Sequence, residues 1–259
     1  LFLFFNGQLN SASFPIITDR FFSNITSDGS NLNLESSVLT LTGIDLENFI
    51  RNPQTFYIGG SVQGAYSLES TNIVINGSQS TFLYDYFNQI RVKSLSFVSE
   101  TGASVIRSQT AILPAFEKLD VQNNASLEMA FEADTLVLGG GKGFDFAAAQ
   151  EYSIGVLEVQ GNCQEPVFIQ SASSGEPIFF RAVNTGLTAE YATLRDVHTR
   201  GSGPFVANNS VDLGNNMGWT INTKNYSELY WVGGSGMWDD SAHWSFTSGG
   251  PGGACIPTP

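Results

Sequence analysis

The side chains able to do chemistry in this chain are few and dispersed. Asp239, Asp240 and His243 form its one acid-plus-histidine cluster. Carboxylate oxygens suit Ca2+ and imidazole suits transition metals, so a metal or general acid/base site is one reading. Metal sites normally need more ligands than this short loop supplies. The favoured reading is structural: Asp239-Asp240 caps a turn, His243 sits beside it between two tryptophans, and neither metal nor cofactor is expected. His198, the second histidine, falls in the strand near Leu194 and is expected to pack or to face solvent. Gly139-Gly140-Gly141-Lys142-Gly143 invites comparison with a phosphate-binding loop. Gly143 stands where that loop requires Ser or Thr, however, and strand-like Phe144-Asp145-Phe146 follows in place of a helix. A turn is the expectation there.

Two further groups bear on carbohydrate. Glu128, Glu132 and Asp134 lie close in sequence, and a polysaccharide lyase or hydrolase needs several carboxylates, or carboxylates with Lys or Arg, on one face. Nothing basic accompanies these three in sequence, so a solvated outer face is the simpler reading and no catalytic residue is assigned. Trp231, Trp238 and Trp244 with Tyr230 form an aromatic cluster. Trp238 and Trp244 are candidates for stacking on sugar rings. A wedge role, filling space between one structural unit and the next, is preferred for the cluster as a whole.

Composition narrows the function classes. The formal charge is −13 with only 11 Lys and Arg, so no basic stripe exists to neutralise phosphates and nucleic acid is not expected as a partner. Attraction to an anionic membrane surface is disfavoured for the same reason. No apolar run approaches the roughly 20 residues of a membrane span, so direct membrane insertion is not expected. Charged residues make up 14% of the chain; a surface solvated by hydroxyls and amides suits an extracellular β-rich protein. The chain starts at Leu1, and Leu1-Phe2-Leu3-Phe4-Phe5 is too short for a signal-peptide core, so it reads as an excerpt of a longer protein. Cys163 and Cys255 are the only cysteines and form no Cys-x-x-Cys pair. They either bridge to each other or pair outside this sequence.

The elements that must position these groups are short and apolar. From Arg91 to Leu213 a ladder of rungs recurs roughly every 15–25 residues. Leu95-Ser96-Phe97, Leu119-Asp120-Val121, Leu136-Val137-Leu138, Leu157-Glu158-Val159, Ile178-Phe179-Phe180 and Leu194-Arg195-Asp196 are its rungs, with Gly- and Asn-rich turns between them. Alternation such as Leu127-Glu128-Met129-Ala130-Phe131 gives each strand one apolar face. Residues 1–90 repeat this less regularly. Gly43 to Ile50 is short enough for one or two helical turns before Pro53, and Thr81 to Ile90 reads as an aromatic strand or a short helix over an open end. No segment sustains a 3.6-residue period. The expected fold is all-β, a right-handed parallel β-helix (solenoid), preferred over an antiparallel sandwich because the unit repeats near 20 residues. The expected organisation is irregular N-terminal coils over 1–90, regular coils over 91–221, and a junction with the start of a following β module over 222–259.

Val211-Asp212-Leu213-Gly214-Asn215-Asn216-Met217-Gly218-Trp219 closes the ladder. After a spacer come Tyr230-Trp231-Val232-Gly233-Gly234-Ser235-Gly236-Met237-Trp238-Asp239-Asp240-Ser241-Ala242-His243-Trp244 and the run from Ser248-Gly249-Gly250 to Cys255-Ile256-Pro257-Thr258. This succession resembles the junction between tandem modules of the large type IX-secreted surface proteins of Bacteroidota, which include gliding-motility adhesins. It covers roughly the last 45 residues. The resemblance implies a non-catalytic extracellular, cell-surface module. Its partners would be neighbouring modules of the same chain, the type IX secretion and gliding machinery, and surface polysaccharides. It also implies a partner for Cys255 beyond Pro259. Asp134-Thr135-Leu136 and Asp240-Ser241-Ala242 resemble the O-glycosylation sites of such proteins, at Thr135 and Ser241. Five Asn-x-Ser/Thr triplets, the first at Asn24, carry no such meaning in a bacterial protein.

Overall fold

A computed structural model describes residues 2–42, 56–62, 65–77, 79–86, 88–99, 102–108, 110, 112–223 and 228–255. The alternation of apolar and polar residues becomes strands that pair parallel with the strand one coil earlier and one coil later. Parallel pairing in register puts like above like. Ile16, Leu39, Ile73, Leu95, Leu119, Leu136 and Leu157 are consecutive partners on one inward row. Phe2, Phe21, Phe56 and Phe82 form another, with successive ring centroids 4.9 Å apart and the ring planes nearly parallel. The product is a parallel β-helix whose described residues form one core cluster running from Phe21 to Ala207. Each fully buried Leu or Phe in it contributes roughly 1.5–3 kcal/mol.

The solenoid has three faces. One is a ten-strand sheet that begins with Phe2–Phe4 and ends with Val211–Asp212. The other two share a corner that changes character along the axis. In the first coils they are separate strands, as in Asn31–Asn33 followed by Val38–Leu41. In the middle coils one long strand turns the corner unbroken: Arg91–Phe97, Ala115–Val121, Glu132–Leu138 and Glu151–Val159. Pairing skips one position at each bend, at Lys93, Glu117, Asp134 and Gly155. Gly155 is required there, since a Cβ would lie 2.6 Å from the Asp134 carbonyl oxygen. Toward the end the faces separate again, as Ile178–Ala182 and Leu187–Glu190.

Three local expectations meet different outcomes. Gly43 to Ile50 lies outside the described residues. Thr81 onward takes the aromatic-strand alternative and not the helix over an open end: Gln79–Tyr86 is a strand within the ten-strand sheet, and Phe82, Tyr84 and Tyr86 are buried in the core. Gly139 to Gly143 is a solenoid turn, with Gly141 at φ +66° and its N–H donating to the Glu165 carbonyl at 3.0 Å. Trp219 packs on the last coil with its ring 5.9 Å from Phe205. Beyond it, Tyr230–Trp231 pairs antiparallel with Trp244–Ser245, the sole antiparallel pair among the described residues.

Candidate functional site

Register assembles a polar groove that no local stretch of sequence contains. Arg91, Ala115, Glu132, Ser153, Arg181 and Arg200 are consecutive partners in one row across the strands. Their inward neighbours Phe116, Ala133, Ile154 and Ala182 are buried, which puts the row on the outer side; its charged members are exposed, while Ala115 is itself buried. Ser153 is small, and a depression of about 250 Å3 opens around it, lined by Arg91, Glu132, Ala133, Asp134, Arg181 and Val183.

Ion pairs orient the rim. Arg91 Nη2 pairs with Asp134 Oδ2 two coils away. Glu151 accepts from both neighbouring arginines, from Arg181 Nη1 at 3.4 Å and Arg200 Nη1 at 2.7 Å. The Arg200 guanidinium also lies 3.6 Å above the Phe179 ring, whose edge meets His198. His198 therefore sits on the outer surface, its Nε2 3.3 Å from Asn215 Oδ1. The Glu132 carboxylate is exposed and has no partner among the described residues. This corrects the expectation that nothing basic accompanies Glu132 and Asp134, because Arg91 and Arg181 border the same depression. Glu128 is not part of it. It follows the strand Asn124–Leu127 on the ten-strand face, beside Ser126.

The groove supplies donors and acceptors at an open surface. Glu132 and Asp134 are both exposed, whereas a carboxyl tuned as a general acid is normally desolvated. The ionisable groups that burial moves are tyrosines of the scaffold. Tyr66 is pushed up to about 12 mainly by burial, and its hydroxyl donates to the Gly59 carbonyl at 2.6 Å. Tyr57 rises to about 12 through burial and the nearby Asp85 carboxylate. Tyr84 and Tyr152 are raised by burial as well.

The aromatic cluster is a small folded unit of its own. Trp244 is buried at 5% exposure, meets Trp231 and Trp238 edge-on, and donates from Nε1 to the Trp238 carbonyl at 2.8 Å. A ring enclosed in this way has no face to offer a sugar, so of the two stacking candidates only Trp238, 62% exposed, keeps one. His243 stacks on Trp231 with centroids 4.8 Å apart, and its Nδ1 lies 2.9 Å from the Val232 carbonyl. Asp240 caps the 3-10 turn Ser241–His243, its Oδ1 accepting from the Ala242 N–H at 2.9 Å. Among the described residues no three His, Cys, Asp or Glu side chains gather as metal ligands. Of the two glycosylation candidates, Ser241 is half-buried at the start of that turn, and Thr135 is half-buried within a strand between Lys118 and Val156.

The cysteines correct the implied pairing. Cys255 bonds to Cys163, in the loop between Glu151–Val159 and Val167–Ser171, and not to a partner beyond Pro259. The bond fastens the tryptophan unit to the flank of the solenoid. No family model, no curated protein and no solved structure matches this chain.

Proposed function

We propose that this chain is a non-catalytic structural and adhesive module of a large extracellular tandem-repeat surface protein, of the type IX-secreted kind, serving surface adhesion or gliding motility. The observation that carries the reading is the join at its end. A β-helical rod is followed by a tryptophan-glycine unit, and a disulfide locks that unit to the rod. A structural disulfide suits an oxidising, extracellular setting. The stacked coils are held by main-chain hydrogen bonds in parallel register over the whole length of the rod, an arrangement whose stability grows by repetition. Neighbouring modules, the secretion and gliding machinery and surface polysaccharides are its proposed partners. Deleting the module from the producing cell is expected to reduce surface attachment or movement; unchanged attachment and movement would remove this reading.

A second reading draws on the groove. Arg91, Asp134, Glu132 and Arg181 on one face meet the minimal requirement for a secreted polysaccharide lyase or hydrolase, a set of carboxylates with a cation. Incubating the purified chain with neutral and acidic polysaccharides and measuring chain length separates the readings. Cleavage abolished by Glu132→Gln would establish the enzyme.

A further inference from the structure

We propose that the row from Arg91 to Arg200 is a binding groove for an uncharged polysaccharide chain lying along the solenoid axis. This deepens the adhesive reading and rests on it for its biological setting. The geometry comes first. Successive members of the row are one inter-strand step apart, about 4.8 Å, so Arg91 to Arg181 spans about 19 Å. The depression lies in the Glu132 to Arg181 part of this row, where Arg91 reaches across to Asp134. A row of polar side chains running on across the strands suits an extended polymer better than a compact metabolite.

Charge then selects the polymer. In the depression Arg91 and Arg181 face Glu132 and Asp134, and beside it Arg200 pairs with Glu151, so the row sums to zero in a chain of formal charge −13. A polyanion would meet three carboxylates and the repulsion of the whole molecule. A polycation would meet three guanidinium groups. Sugar hydroxyls, by contrast, both donate and accept. Each guanidinium has five N–H donors, more than its ion pair uses, and the unpartnered Glu132 carboxylate accepts through two oxygens. Because Arg91 is tied to Asp134 and both Arg181 and Arg200 to Glu151, these donors are already oriented, which lowers the ordering cost of binding.

An extended peptide fits less well. Peptides add to exposed strand edges or seat side chains in apolar pockets. The strands under this groove are paired on both sides from Ala115–Val121 to Ile178–Ala182, and Val183 is its one large apolar rim residue.

The test is native affinity electrophoresis of the full chain through gels containing xyloglucan, galactomannan, mixed-linkage β-glucan or polygalacturonate, at low and high salt. The expected result is retardation by at least one neutral polymer, with little change on adding salt. Ser153→Trp fills the depression and is expected to weaken that retardation about tenfold or more, as is Glu132→Gln, which reduces an ionic hydrogen bond to a neutral one. Glu128→Gln, on the other face, is expected to leave it unchanged. Circular dichroism confirms that each variant is folded, and Glu132→Gln carries the test if Ser153→Trp is not. Four results overturn the proposal: no retardation by any neutral polymer, retardation that survives both groove variants, binding confined to polygalacturonate and abolished by salt, or binding of a casein peptide pool in place of the glycans. Loss of cell attachment with the groove variants addresses the adhesive role separately, so the groove and the role fail independently.

Discussion

Cys163 and Cys255 stand 92 residues apart in sequence, yet their Cα atoms are 5.3 Å apart and their sulfurs bonded. The bond ties a loop on the flank of the solenoid to the last described residue of the tryptophan unit. Ala254 and Cys255 are themselves buried, and the Ala254 N–H donates to the Trp244 carbonyl at 2.9 Å. The bridge therefore anchors the folded unit close to its central ring.

Reducing that bond is expected to release the unit without melting the rod. A disulfide typically stabilises by about 2–4 kcal/mol, whereas the solenoid core from Phe21 to Ala207 includes neither cysteine. Limited proteolysis with and without dithiothreitol checks it. Cleavage in 228–255 should accelerate on reduction, or in Cys163→Ser, while the solenoid fragment stays intact. Equal protection in both states would show that packing alone holds the unit.

Within that unit the two candidate sugar-stacking rings should behave oppositely. Trp244→Ala removes a buried ring touched by two others and is expected to cost about 3–5 kcal/mol, enough to unfold so small a unit. Trp238→Ala removes an exposed ring and is expected to cost far less. Near-ultraviolet circular dichroism reads the tryptophan cluster directly: its signal should collapse in the first variant and persist, altered, in the second.

The scaffold was legible in sequence because parallel register repeats a local signal. Leu95, Leu119, Leu136 and Leu157 each announce a strand through their own neighbours, and stacking adds nothing to the pattern that the rungs do not carry. The groove and the disulfide were not legible, because both are products of register between distant coils. Arg91 and Asp134 are 43 residues apart, and Arg200 and Glu151 are 49 apart. To scattered reading they are isolated surface charges. The skipped pairing at Lys93, Glu117, Asp134 and Gly155 was equally hidden. One signal existed: Gly155 interrupts an otherwise β-prone run, and a glycine within a strand marks a bend or a close backbone approach. Trp244 shows the limit of composition in the other direction, since residue type alone does not separate a buried tryptophan from an exposed one.

The corner glycine makes a prediction of its own. Gly155→Val places a branched side chain where the Asp134 carbonyl oxygen leaves 2.6 Å, so the backbone of two coils must shift. The expected cost is about 1–3 kcal/mol, typical of overpacking, with local damage because each coil contacts only its neighbours. Hydrogen exchange should rise in 132–138 and 151–159 and stay unchanged in the coils near Phe21. A uniform rise would show that the rod unfolds as one cooperative unit.

Alkaline pH should destabilise the rod through its buried tyrosines. Tyr66 has its hydroxyl raised to about 12 by burial, against an unfolded value near 10. Above about pH 10 the unfolded chain ionises while the folded hydroxyl holds its proton. Stability is therefore complete below about pH 10 and falls as pH rises toward 12, by about 2–3 kcal/mol for this one group. Tyr84 and Tyr152, raised by the same cause, act in the same direction. Urea midpoints measured between pH 8 and 12 test the sign and the size. Tyr66→Phe removes the ionisable group and the hydrogen bond to Gly59, so it should be the less stable protein at pH 8 and lose less on going to pH 12. If the two proteins lose stability in parallel across that range, Tyr66 is not one of the groups that set alkaline stability.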